Sequence, residues 1–333
     1  MIQMLSISAK GLTKEFKVFQ SRSGLIGAFR DLFNRKYQVI RAVDSIDLEI
    51  HKGEMVGYIG ENGAGKSTTI KMLTGILEPT AGELRVNGYH PHREREKFVQ
   101  TIGVVFGQRS QLWWDIAVQE SFRLLQKVYR VPEEQYQKHM KRMIDVMDIG
   151  KLLDQPVRKL SLGQRMRCEL VAALIHQPPL LFLDEPTIGL DVLVKNNIRK
   201  FLKEINQEFH TTILLTTHDL SDIEALCSRV IVLDQGKIIY DGDLHRLKNE
   251  WGSGKTIYLR TAEDLSIDQL ERITEGLSIT WNKQAEREMS AVLKNGISVS
   301  TVLSRLVEQV PIQDVQIKED STEEIVRKIY QGG

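Results

Sequence analysis

Cysteine is nearly absent: the 333 residues hold two, Cys168 and Cys227. Two thiols so far apart supply neither a disulfide framework nor a zinc site, and they fit a reducing cytoplasm. An excess of one charge is lacking too. Lys and Arg number 45 against 44 Asp and Glu, for a formal net charge of +1. No global field therefore draws the chain to nucleic acid or anionic lipid. No apolar stretch approaches the ~18 residues that a membrane span needs. The opening MIQMLSISAKGLTKEF has no basic flank before an apolar core, so no secretory leader is expected. Work at a membrane would need other chains to span it. What is present is a globular composition, 41% hydrophobic and 27% charged. Its length suits one large domain and one small one.

Up to about residue 245, apolar runs alternate with helical patterns. EMVGYIG, VVFG, LLFLDE, TTILLTTH and VIVLDQG are nearly continuous apolar segments, as in strands buried on both faces of a parallel sheet. This predicts an α/β core. Residues 17–41 interrupt it with six basic residues (Lys17, Arg22, Arg30, Arg35, Lys36, Arg41) and one acid, Asp31. Leu25, Phe29 and Phe33 recur every four residues, which predicts a short basic amphipathic helix. It could pack on the domain surface, rest on a membrane, or do both.

Residues 250–333 follow another pattern. TIYLRT, LSITWN, EMSAVLK and VQIKE read as strands. SIDQLERITEG and VSTVLSRLVEQV read as helices, as does STEEIVRKIY, where Ser321 and Glu324 form a capping box. The order βαββαβ plus a helix predicts a small α+β ferredoxin-like domain. Its 14 acids against 10 bases speak against nucleic-acid binding there.

GENGAGKST, starting at Gly60, matches G-x-x-x-x-G-K-[ST] between a strand pattern and a helical one. Gly60, Gly63 and Gly65 leave the backbone bare for a phosphate. The N–H groups of the turn and helix start point at it. Lys66 reaches the β- and γ-phosphates, and the Ser67 hydroxyl can ligate Mg²⁺. A second candidate, WGSGKT at 251–256, fails because position 249 is Asn249 and the preceding DLHRLKNE reads as helix; it is expected to be a linker. In LLFLDEP, Asp184 ends an apolar strand where it could hold Mg²⁺. Glu185, just beyond, could take a proton from an attacking water.

With these motifs the chain resembles the ATP-binding subunits of ABC transporters over roughly residues 1–245. Gln108 in VVFGQ falls at the Q-loop. LSLGQ, residues 160–164, resembles the signature LSGGQ with Leu162 in place of the usual glycine. LLFLDE resembles the Walker B segment, IGLD ending at Asp191 the D-loop, and His218 in TTHD the switch histidine. Phe16 matches the aromatic that stacks on adenine.

The resemblance implies a P-loop NTPase core with an antiparallel β subdomain and a helical subdomain at about 109–175. It implies ATP and Mg²⁺ at Gly60, Asn62, Gly63, Gly65, Lys66, Ser67 and Thr68. Gln108 would reach Mg²⁺ and the attacking water, and His218 would contact the γ-phosphate and steady Glu185. Two cassettes, this chain with a second copy of itself or with a related cassette, would pair head to tail, so that Ser161, Gly163 and Gln164 close over ATP held by the other, beside Asp191. Free of a partner, Ser161 would simply cap its helix. The Trp113–Trp114 pair could anchor a membrane subunit or fill the helical subdomain.

The expected function is ATP hydrolysis driving separate transmembrane permease subunits from the cytoplasmic face of the membrane. TTIKMLTGILEPTAGELRVNGY resembles ABC-2-type exporters, which move drugs, antibiotics, lipids or polysaccharides. The alternative is a soluble ABC ATPase acting on ribosomes or nucleic acid. Such proteins usually carry two cassettes or a long coiled coil. This chain has one phosphate loop, and the stretch from Lys66 to Ser161 leaves no room for such a coil. A non-catalytic binder is disfavoured because Lys66, Glu185 and His218 are all present.

Overall fold

The computed structural model describes residues 4–19, 37–107, 109–252, 254–277, 279–293 and 297–332. The chain divides into two compact units, Met1–Gly242 and Asp243–Gly333.

The first unit opens with two long strands, β1 (Leu5–Phe19) and β2 (Tyr37–His51), paired antiparallel. Alternation aims Ile7, Ala9, Ile46, Leu48 and Ile50 inward, all of them buried. β3 (Met55–Gly60) leads into helix α1 (Lys66–Leu73). β4 (Ala81–Val86) joins the other edge of β1, giving the sheet order β2-β1-β4. Helix α2 (Arg95–Val99) and strand β5 (Ile102–Phe106) follow.

Three helices come next: α3 (Val118–Val128), α4 (Glu133–Val146) and α5 (Leu162–Leu174). Their buried sides include Phe122, Leu125, Met140, Met143, Met166 and Leu170. The chain continues through β6 (Leu180–Asp184), α6 (Val192–Phe209), β7 (Thr212–Thr216), α7 (Leu220–Leu226), β8 (Arg229–Asp234) and β9 (Lys237–Asp243). The second sheet runs β5-β6-β7-β3-β8-β9, with β5 through β8 parallel. Leu180 to Leu183 are all fully buried, as a strand covered on both faces requires.

The two ends of the 17–41 segment, Lys17–Phe19 and Tyr37–Arg41, extend the β1–β2 pair. Their β-branched and aromatic residues pair across the strands, and the Phe19 and Tyr37 rings meet edge to face at 6.1 Å. Leu25, Phe29 and Phe33 lie outside the described residues. Further along, the division between units falls at Gly242. Helix α8 (Leu244–Trp251) therefore belongs to the second unit, where Leu244 and Leu247 are buried.

That unit continues through β10 (Lys255–Thr261), α9 (Ile267–Ile273), β11 (Thr280–Ala285), β12 (Glu288–Leu293), α10 (Val299–Gln309), β13 (Ile312–Glu319) and α11 (Thr322–Gly332). The sheet order β11-β12-β10-β13, antiparallel throughout, is that of a ferredoxin-like βαββαβ fold. Trp281, Ile257, Leu259, Met289, Val302 and Leu306 form its core. Ser321 and Glu324 exchange the two hydrogen bonds of a capping box.

One glycine controls how α5 meets the large sheet. A Cβ on Gly103, at the start of β5, would lie 2.5 Å from the backbone oxygen of Ala173 near the end of α5. A backbone atom cannot swing aside as a side chain can. Gly103→Ala should therefore cost roughly 1–3 kcal/mol, as overpacking does. It should lower the denaturant midpoint without changing the slope; an unchanged midpoint would show that α5 is free to shift.

Candidate functional site

The parallel strands end at one level. Asp184 on β6 pairs with Thr216 on β7 and with Phe106 on β5. Ligands in open α/β sheets bind beyond these carboxyl ends. Here a cavity of about 460 Å³ opens there, and its lining includes Asn62, Gly63, Gly65, Lys66, Ser67 and Thr68 on one side and Asp184, Glu185 and His218 on the other. The sheet thus gathers motifs that lie more than a hundred residues apart.

The loop Glu61–Gly65 turns tightly onto α1. Gly65 has φ 107°, and a Cβ there would sit 2.4 Å from the carbonyl oxygen of Ala42 on β2. The turn is thus wedged between its own helix and β2. Gly60 is equally confined, with the Leu233 carbonyl 2.5 Å from a notional Cβ. Lys66 is almost buried and bends over the loop, donating to the carbonyls of Gly60 (2.5 Å) and Glu61 (3.0 Å). Burial pushes its pKa down, while Glu185, Asp184 and Glu61 pull it back up. The ammonium and the N-terminus of α1 face the same space, a pairing that attracts a polyphosphate.

On the opposite wall, Thr216 donates to an Asp184 oxygen at 2.6 Å, and Asp184 lines the cavity. Glu185 adopts the left-handed conformation, φ 57°. A non-glycine residue holds it at a cost of about 1 kcal/mol or more, and such strain clusters at functional sites. Glu185 accepts from the His218 backbone N–H and meets the imidazole Nε2, each at 3.2 Å. Burial raises its pKa above the ordinary carboxyl value; His218 works against that, and Asp184 adds to it. A carboxylate whose pKa is raised toward neutrality is a better proton acceptor.

Asp222 fixes the two loops behind these groups. It is fully buried and accepts from Thr187 (2.5 Å), just after Glu185, from Thr217 (3.2 Å), just before His218, and from Arg199 (2.6 Å). No sequence motif had marked Asp222 or Thr216. Arg109, Ala42 and Ile76 also line the cavity without having been expected. Ala42 and Ile76 carry no chemical signal in a sequence; only the fold brings them to the wall.

The remaining expected residues stand elsewhere. Phe16 is part-exposed on β1 beneath the Lys14 ammonium, 5.5 Å away, and is not among the lining residues. Gln108 lies outside the described residues. Ser161 caps α5 in a full capping box with Gln164, at 3.3 and 2.9 Å. Asp191 caps α6 by accepting from the Val194 N–H at 2.9 Å. Ser161, Gly163, Gln164 and Asp191 do not line the chain's own cavity. Leu162 leans on the adjoining turn: its Cδ2 would be 3.0 Å from a Cβ placed on Gly189, which has φ 70°. The leucine is still 37% exposed. Trp113 and Trp114 are 44% and 52% exposed, so they do not fill the helical subdomain.

Residues 43–188 match the family model described as ABC transporter. The ABC transporter ATP-binding protein NatA of Bacillus subtilis is 31% identical over 246 residues, covering 74% of this chain and 96% of that protein. The chain belongs to the ABC transporter ATP-binding family. The cassette is also 33% identical over 217 residues to the linearmycin resistance ATP-binding protein LnrL of B. subtilis, across 65% of this chain and 69% of that one. Proteins named as methionine import ATP-binding proteins match as well. Among solved structures, a dimeric post-hydrolysis form of the cassette MJ0796, bound to ADP and Pi, superposes with a TM-score of 0.59. It is 25% identical, over 72% of this chain and 98% of that one. The cassette is therefore an ATPase subunit of a transporter. Among its described residues no helix is long and apolar enough to cross a membrane.

The two walls lend themselves to separate tests. Lys66→Ala should abolish ATP binding in calorimetry; undiminished binding would remove Lys66 from the phosphate site. Glu185→Gln should keep binding and lose about 10²–10⁴ in hydrolysis rate, the usual worth of a general base. The same variant has a stability signature. A carboxyl whose folded pKa is raised favours folding when protonated and loses that contribution as pH rises through the folded pKa. Glu185→Gln should therefore melt at or above the parent at pH 7–8, with the gap closing as pH falls below the ordinary carboxyl value. A lower melting temperature at pH 8 would contradict the burial argument.

Proposed function

We propose that the cassette hydrolyses ATP in two composite sites built with a second copy of itself. Closure of the pair would drive separate transmembrane permease subunits of an ABC-2-type exporter, at the cytoplasmic face of the membrane. The observation that carries this reading is the position of Ser161: an N-cap at an exposed helix start, outside the cavity of its own chain. A helix N-terminus with free N–H groups attracts phosphate. Head-to-tail pairing gives it one, on the ATP held by the partner. The dimeric form of the related cassette supports the pairing of two cassettes.

In each site Lys66 and the loop Gly60–Gly65 hold the polyphosphate, aided by Asn62 and Thr68. Glu185 accepts the proton of the attacking water, and His218 steadies Glu185 and meets the γ-phosphate. Gln108 contributes to the same site. Ser67 and Asp184 offer hard oxygen donors on facing walls and would hold Mg²⁺, whose charge supports the phosphates. Among the described residues no group of three or more carboxylate, histidine or cysteine side chains is arranged to hold a metal ion by itself. That donor set suits a cation which keeps its waters and takes ligands from the nucleotide. The exposed Trp113–Trp114 pair offers an aromatic anchor for the permease. Export is favoured by the resemblance to ABC-2 ATPases and by the likeness to a resistance protein. Directional transport by the complex reconstituted with its permease tests it, and inward movement would make this an importer ATPase.

Mixing two inactive chains tests the shared sites. A Lys66→Ala chain and a Ser161→Arg chain together form one site with both defects and one with neither. Recovery of a substantial fraction of activity on mixing is expected. No recovery in demonstrated heterodimers would count against sites shared in trans.

A further inference from the structure

Glu169 is only 3% exposed, an unusual place for a carboxylate, and none of the roles above uses it. It sits on α5, facing the segment that follows the Q-loop position. The Ser110 hydroxyl donates to one carboxylate oxygen and the Gln111 N–H to the other, at 3.1 Å. The Gln111 amide donates back to the Glu169 carbonyl at 3.0 Å. One turn earlier on the same helix face, the Arg165 guanidinium lies 5.8 Å over the ring of Trp114. The face of α5 that carries Arg165 and Glu169 thus grips residues 110–114 at two points.

The ends of α5 differ. Its C-terminal end is held against β5, where Gly103 lets the Ala173 carbonyl approach, and His139 meets the Leu174 oxygen at 3.0 Å. Its N-terminal end, at Ser161, is exposed. At 1.5 Å per residue, Glu169 lies ~6 Å and Ser161 ~18 Å from Ala173. A displacement at Glu169 is thus multiplied about threefold at Ser161 if the helix pivots as a rigid rod. The cavity side of the segment does not depend on Glu169. Arg109 is tied to the Phe106 carbonyl at 3.1 Å and Gly107 to the Asp184 carbonyl at 2.7 Å, both on the sheet.

From this geometry we infer that Glu169 is a positioning residue that joins residues 110–114 to α5, so that movement of the Trp113–Trp114 surface sets the position of Ser161. The inference rests on the shared-site reading, and its effect falls on the nucleotide of the partner chain. Removing the grip leaves Lys66 and its own cavity intact and lets the signature end of α5 drift.

The test is complementation in full-length chains. Glu169→Ala should bind ATP with unchanged affinity in calorimetry and lose roughly tenfold in turnover, within the range for residues that couple sites. Mixed with Lys66→Ala, it should recover activity, because one composite site then pairs an intact phosphate loop with an α5 that keeps Glu169. Should Glu169→Ala fail to fold, Glu169→Gln gives the same reading, since an amide offers one acceptor oxygen to two donors. The Lys66→Ala and Ser161→Arg mixture serves as the control. If the control recovers and the Glu169 mixture does not, Glu169 acts within its own site or only on stability, and the inference is wrong. If neither recovers, the shared-site reading fails and the inference fails with it.

Discussion

The hydrogen bond from Thr216 to Asp184 fixes the level at which the site is built. It joins β6 to β7 in the register that brings Leu183 opposite Leu215 and Asp184 opposite Thr216. A shift of one residue would turn Asp184 from the cavity into the core, because strand side chains alternate between faces. Glu185 and His218 follow directly after these two strands, so their 3.2 Å contact depends on the same register. Asp222 then ties the outgoing loops together. The facing wall depends on the tight turn at Gly65, whose bare Cα lets the Ala42 carbonyl approach.

The cassette's candidate functional groups stand in two separate places. One set converges on the cavity at the strand ends. The other, Ser161 to Gln164 with Asp191, sits at helix starts that cap themselves within the free chain. Each of those caps satisfies an exposed helix end, as any capped helix would. What sets Ser161 apart is its connection: through α5 it leads to Glu169 and onward to the segment carrying Trp113 and Trp114.

Much of this was legible in the sequence, for identifiable reasons. The phosphate loop, Asp184 and His218 could be read because their chemistry requires fixed residue types at fixed offsets from buried strands. The ferredoxin-like unit was legible because its strands and helices have clean periodicities. The strand pairing at the ends of the 17–41 segment was not read: the spacing of Leu25, Phe29 and Phe33 suggested a short helix there, and Phe19 and Tyr37 pair across two strands. Such long-range pairing leaves no local signal. Asp222, Thr216 and Glu169 were missed for the same reason: each acts through partners brought near by folding, with no motif of its own.

The central claim is that one chain holds only half of each catalytic site. Light scattering on the Glu185→Gln chain tests it most directly, with mass read in ADP·Mg²⁺ and then in ATP·Mg²⁺. The account predicts a mass near 38.1 kDa with ADP and a doubling with ATP. It also predicts that adding Ser161→Arg abolishes the doubling. A mass that stays at the single-chain value with saturating ATP, or a doubling that survives Ser161→Arg, would contradict the claim.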